Sequence, residues 1–154
     1  MPEEGIMNAV ARFANHIVGL RFEDLPEMAL TRGRQITLDT LGTALGGFQT
    51  SLGELTVAFT RQEDPGDQAT MIGDGRLSTV EGAAWANAVM AKHLGMDDSH
   101  RLGGHVAAQL VPLVLALGEF HRLDGHTVLT ALAAGYDVAG TLQPAVEAPQ
   151  RARG

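Results

Sequence analysis

From Asp97 to His105 the chain reads Asp97-Asp98-Ser99-His100-Arg101-Leu102-Gly103-Gly104-His105, its densest run of acids, bases and hydrogen-bond donors. A histidine held there can serve as a general base or acid, with an aspartate fixing its tautomer. His105 is the candidate for that role, Asp97 or Asp98 for the orienting partner, and Ser99 for a hydroxyl donor to substrate. Gly103 and Gly104 let the backbone approach a ligand closely and leave main-chain N–H groups for a carboxylate. With His100 and Tyr136 they form the candidate substrate-binding set. The same residue types also read as the end of one helix and the cap of the next, with His105 bonding a backbone carbonyl. Residue types alone leave both readings open. Asp97, Asp98, His100 and His105 include metal-ligand types, but without a diagnostic spacing, so neither a metal nor a cofactor is expected.

The remaining candidates are weaker. His16, His93, His121 and His126 lie in or beside predicted helices, where solvated or packed histidines are the common outcome. Tyr136, the only tyrosine, stands in Ala133-Ala134-Gly135-Tyr136-Asp137-Val138, where a packed ring with a hydrogen-bonded tip is the plain expectation. Leu45-Gly46-Gly47 and Ile72-Gly73-Asp74-Gly75 are not phosphate loops, since neither follows a strand or carries the required lysine.

The loop is framed by helical patterns. Ile6, Val10, Phe13, Ile17 and Leu20 recur at helical spacing and predict a first helix over about Glu4 to Gly19. Leu25-Pro26 opens a second helix, with Pro26 in its first turn, that carries Met28, Leu30, Ile36, Leu38, Leu41 and Leu45 and stops at Gly46-Gly47. A shorter helix covers about Leu52 to Arg61. Gln62 to Leu77, rich in Asp, Gly and Pro, reads as a loop. Ser78 with Glu81 has capping-box spacing and starts an Ala-rich helix from Thr79 to about Leu94, with Trp85 on its apolar face. After the loop Gly95 to Gly104 comes an apolar helix of roughly Val106 to His121, and Asp124 caps a last helix to about Thr141. Nothing alternates with period two for long enough to predict a strand. The expected class is therefore all-α, a single bundle of about six helices over residues 1–142 with a flexible C-terminal tail over 143–154.

Composition fits that class. Apolar residues make up 45% and charged residues 19%, the balance of a globular chain, while aromatics at 5% leave a core of Ala, Leu, Val and Met suited to close helix packing. A net charge of −7 argues against non-specific nucleic-acid binding. The absence of cysteine excludes disulfides, thiolate nucleophiles and Cys-based metal sites. An acidic N-terminus and no apolar run of membrane-spanning length point to a cytoplasmic protein without a membrane partner. The helices from Thr79 and Val106 carry few charges on any face, which implies burial in a bundle centre or in a homo-oligomer interface.

The order of motifs resembles the 2-methylcitrate dehydratase family (the MmgE/PrpD group, which includes cis-aconitate decarboxylase and iminodisuccinate epimerase). Phe22-Glu23-Asp24-Leu25-Pro26, then Leu38-Asp39-Thr40-Leu41-Gly42 with Gly46-Gly47, is similar to its opening. Ala83-Ala84-Trp85-Ala86-Asn87 followed by Asp97-Asp98-Ser99 resembles its A-A-x-x-N … D-D-T segment. His105, with Val111-Pro112 and Leu115-Ala116-Leu117-Gly118-Glu119, and Ala134-Gly135-Tyr136-Asp137-Val138 continue the likeness. The resemblance covers about residues 8 to 142 and implies metal-free acid/base chemistry on small polycarboxylates, by proton transfer next to a carboxylate. It singles out Ser99 and His105, in place of the family's Thr and His, and leaves Asp97 and Asp98 in support. It also implies departures. Gly95 stands where the family often has Asp, Val106 where Pro usually follows the loop His, and Thr141 where an Arg is common. Family members are much longer, and the Lys, Tyr and further His of their site lie beyond the part matched here. The expectation is thus a small enzyme of specialised biosynthesis, a lyase or isomerase performing dehydration, isomerisation or cyclisation of a carboxylate or carbonyl substrate. A dimer would complete its site from a second copy. The alternative is a non-catalytic binding or interaction subunit, either a pseudoenzyme or one that pairs with a separately encoded remainder.

Overall fold

Small side chains decide how this chain packs. The computed structural model describes residues 3–99 and 104–151. Among them, α1 (Glu3–Gly19) is followed by a 3-10 turn at Phe22–Asp24, α2 (Glu27–Phe48) and α3 (Ser51–Glu63). A short hairpin of β1 (Pro65–Thr70) and β2 (Leu77–Ser78) precedes α4 (Val80–His93), α5 (Ala107–His121) and α6 (Gly125–Arg151). The mainly helical, single-bundle architecture matches the sequence expectation.

The Ala-rich α4 is the centre, packed against α2, α3 and α5. It buries Ala83, Ala84, Ala86, Met90 and Ala91. Each alanine methyl removes little apolar surface from water, so the stabilisation comes from letting helix backbones approach and fill space densely. At the tightest point Gly47 of α2 lies on the Met90 carbonyl, where a Cβ would collide with backbone. A second cluster joins α5 and α6 through Ala107, Val111 and Leu132, with Ile36, Leu110 and Tyr136 against it. Ala107 and Tyr136 of this cluster bond Asp98, which follows α4.

Several local expectations are corrected. The stretch read as a loop, Gln62 to Leu77, contains antiparallel β1 and β2, with Thr70 opposite Leu77 and Ala69 opposite Ser78. Tertiary bonds hold that strand in place of periodicity. The Thr70 backbone N–H and hydroxyl donate to the Glu119 carboxylate at 2.8 and 2.6 Å, and Asn87 accepts from Ile72 N at 2.7 Å while donating to Thr70 O at 2.9 Å. Ser78 is not the α4 cap, because its hydroxyl donates to the Asp64 carbonyl at 2.6 Å. Thr79 caps instead, its Oγ1 accepting from Gly82 N at 3.0 Å. Trp85, placed on the apolar face of α4 and so expected inside, is 47% exposed and tilts against Phe59 at 5.5 Å. The second helix runs through Gly46 and Gly47 to Phe48. Asp124 does start α6, accepting from Thr127 N at 2.8 Å, but the helix continues past Thr141 to Arg151, through the stretch assigned to a tail.

Candidate active site at the α4–α5 loop

The loop begins where α4 ends. Lys92 and His93 occupy its last turn, where positive charge meets the negative end of the helix dipole. The chain then reverses at Gly95, whose φ of +63° lies in the left-handed region that glycine enters without steric cost. The reversal carries Asp97 back over the helix it has left. Asp97 Oδ1 accepts from Lys92 Nζ at 3.0 Å, and its side chain is 1% exposed.

His105 approaches the same carboxylate from the far end of the loop. Its Nδ1 lies 3.0 Å from Asp97 Oδ2 and 2.9 Å from the backbone carbonyl of Asp98. A carbonyl only accepts, so Nδ1 carries a proton and, in the neutral ring, the lone pair is on Nε2. The Nδ1–H is directed at the Asp98 carbonyl. Asp97 Oδ2 takes no directed hydrogen bond of its own and supplies negative charge beside the ring. Orientation and charge thus come from consecutive residues. The ring itself is 43% exposed, open to a solute while its Nδ1 side is fixed.

Asp98 points the other way and anchors the loop. Its Oδ1 accepts from Ala107 N at 3.1 Å, meeting an unsatisfied donor at the positive start of α5, and its Oδ2 accepts from Tyr136 Oη at 3.0 Å. Burial, with the adjacent Asp98 carboxylate, pushes the Tyr136 phenol well above its usual range. Tyr136 therefore stays protonated and donating throughout the neutral range.

An open cleft of about 370 Å³ adjoins the histidine. Gly104, His105, Gln109, Leu110, Leu113 and Gln143 are among the residues that line it. Of the residues singled out in the sequence, Asp97, Asp98, His105 and Tyr136 come together in one bonded cluster, and Gly104 lies on the cleft wall. Ser99 is exposed beside them. His100 and Gly103 fall outside the described residues. Sequence reasoning missed Lys92, whose signal was a helix-terminal lysine followed by a turn-forming glycine and an aspartate. It also missed Gln109 and Gln143, the second because α6 was ended too early. Of the other histidines, His16 pairs with Asp137 at 3.2 Å and His126 stacks on Phe22 at 3.9 Å. Among the described residues, no group of three or more acidic or histidine side chains is placed to hold a metal ion, and no helix is long and apolar enough to cross a membrane.

Comparison with known proteins agrees with the order of motifs. Residues 11–153 match the MmgE/PrpD N-terminal domain. The chain is 27% identical over 136 residues to the human cis-aconitate decarboxylase, an alignment that takes in 84% of this chain and 28% of that protein. It is 26% identical over 138 residues to the cis-aconitate decarboxylase-like protein oryM of Aspergillus oryzae, covering 84% of this chain and 29% of the relative. The mouse cis-aconitate decarboxylase is similar to the same degree, at 26% over 136 residues. The chain thus spans less than a third of the length of these relatives.

Proposed function

The chain belongs to the MmgE/PrpD family, and from that premise we propose that it performs acid/base chemistry on a small carboxylate or carbonyl substrate, with His105 as the group that moves the proton. The observation that carries this reading is the two-sided hold on His105 Nδ1, by the Asp98 carbonyl and the Asp97 carboxylate, at the edge of a cleft. A ring so held keeps Nε2 for the reaction. As base, Nε2 takes a proton from the carbon next to a carbonyl or carboxylate, and the C–H electrons pass into that group. As imidazolium, it returns a proton to carbon in isomerisation or after loss of carbon dioxide, or to the departing hydroxyl in dehydration, which leaves as water while the carbanion's electrons form the double bond. Ser99, in place of the family's threonine, keeps a hydroxyl donor for a substrate carboxylate. Asp97 supports the ring, and Asp98 and Tyr136 hold the loop.

The relatives' names make cis-aconitate the first substrate to try. The test follows cis-aconitate and related di- and tricarboxylates in D2O by proton NMR, for loss of carbon dioxide or exchange at carbon. His105→Ala is expected to abolish turnover, a loss of about 10²-fold or more, with helicity unchanged by circular dichroism. An active His105→Ala protein would remove the assignment.

A second reading, that of a non-catalytic subunit or of a chain completed by another copy, is favoured by the outer face of α5. Leu113, Leu117 and Phe120 recur there at helical spacing and remain exposed. On this reading a second copy or a separate subunit supplies the rest of the site.

A further inference from the structure

We propose that Lys92 is a positioning residue of the His105 site, holding the buried Asp97 carboxylate beside the ring and offsetting its charge there. The inference deepens the reading of His105 as an acid/base and rests on it for its catalytic meaning. The ion chain itself stands on geometry: Lys92 Nζ to Asp97 Oδ1 at 3.0 Å, and Asp97 Oδ2 to His105 Nδ1 at 3.0 Å.

The physical argument concerns which form of the ring balances the cluster. Asp97 is almost wholly out of water, and a lone carboxylate in that setting is costly. With Lys92 present, ammonium and carboxylate cancel, and the neutral imidazole is the charge-balanced state. Without Lys92, the imidazolium would be the balanced state, and His105 would hold its proton more tightly. A general base must be available in its neutral form, and Lys92 supplies that condition. Its hydrogen bond holds Asp97 in place, and its charge, next to a carboxylate that is 1% exposed, sets the balance of the cluster. The other groups that face the ring do not replace it. Asp98 presents its carbonyl, while its carboxylate is turned to Ala107 N of α5 and Tyr136 of α6. The left-handed turn at Gly95 is what returns Asp97 to Lys92.

The test is a pH titration of the histidine rings by long-range proton–nitrogen NMR on the full chain. The chain has six histidines, and His105→Gln identifies the resonance of interest. In Lys92→Met the titration midpoint of His105 is expected to move up by about one pH unit, the size of effect that loss of a neighbouring charge has on an ionisable group. Lys92→Gln, which keeps a hydrogen-bond donor for Asp97 but no charge, should move it likewise. Lys92→Arg should restore the original midpoint, and Asp97→Asn should lower it. A midpoint unchanged in Lys92→Gln overturns the proposal, as does a downward shift in either uncharged variant. Because the readout needs no substrate, the two ideas fail separately. An inactive His105→Ala with an unmoved midpoint leaves the acid/base reading and removes the role of Lys92. An active His105→Ala with the expected titration does the reverse.

Discussion

Tyr136 shows how residue identity and residue role diverge. The sequence makes it a packed ring with a bonded tip, and the structure supplies the partner, Asp98 Oδ2. Burial and that carboxylate both raise the phenol's proton affinity, so phenolate formation opposes the fold. The folded value lies above the unfolded one, so the contribution is fully present below about pH 10 and is lost as pH rises beyond it. As the only tyrosine, Tyr136 can be followed alone by phenolate absorbance. Its midpoint is expected above that of free tyrosine and should fall to about 10 in urea. A native midpoint at 10 would mean that the bond to Asp98 does not persist in solution. His105 and Lys92 belong to the same scale, each with a role set by atoms within 3.0 Å.

At the scale of elements, α4 explains why the loop is held so firmly at its base. Its alanines and Gly47 of α2 permit a backbone approach that larger residues would forbid. Gly47→Ala would drive a Cβ into the Met90 carbonyl, and relief requires α2 and α4 to separate. A destabilisation of about 3 kcal/mol is expected in urea unfolding, because backbone cannot yield as a flexible side chain can. A cost below about 1 kcal/mol would show that the helices slide apart readily. The hairpin before α4 teaches the opposite lesson. Nothing in Pro65-Gly66-Asp67-Gln68-Ala69-Thr70 alternates, yet it is a strand because Asn87 and Glu119 bond its end. Ser78 lost the capping role to Thr79 for a related reason: its hydroxyl was claimed by the distant Asp64 carbonyl.

For the whole molecule, the exposed outer face of α5 is the dominant question. Leu113, Leu117 and Phe120 form an exposed apolar row of the kind that a further contact covers, and a second copy is the occupant tested first. Sedimentation velocity at tens of micromolar is expected to reveal a species larger than one chain, and Leu117→Glu should shift it toward monomer. A monomer throughout, with Leu117→Glu behaving identically, would favour a separate subunit as the cover. That outcome bears on the cleft beside His105 too, because the cleft is open to whatever docks next to it.

The sequence by itself determined the helical class, the extent of most helices and the concentration of acids and histidines on the α4–α5 loop. Those properties follow from local periodicity, from capping residues such as Asp124, and from an order of motifs shared with the MmgE/PrpD family. Only the tertiary structure decided how the loop's acids divide their work. Asp97 and Asp98 are adjacent and chemically identical in the sequence. The reversal at Gly95 buries one between Lys92 and His105, while the start of α5 and the hydroxyl of Tyr136 draw the other away. Such a division depends on which distant groups reach each carboxylate, and chain-local patterns carry no record of that.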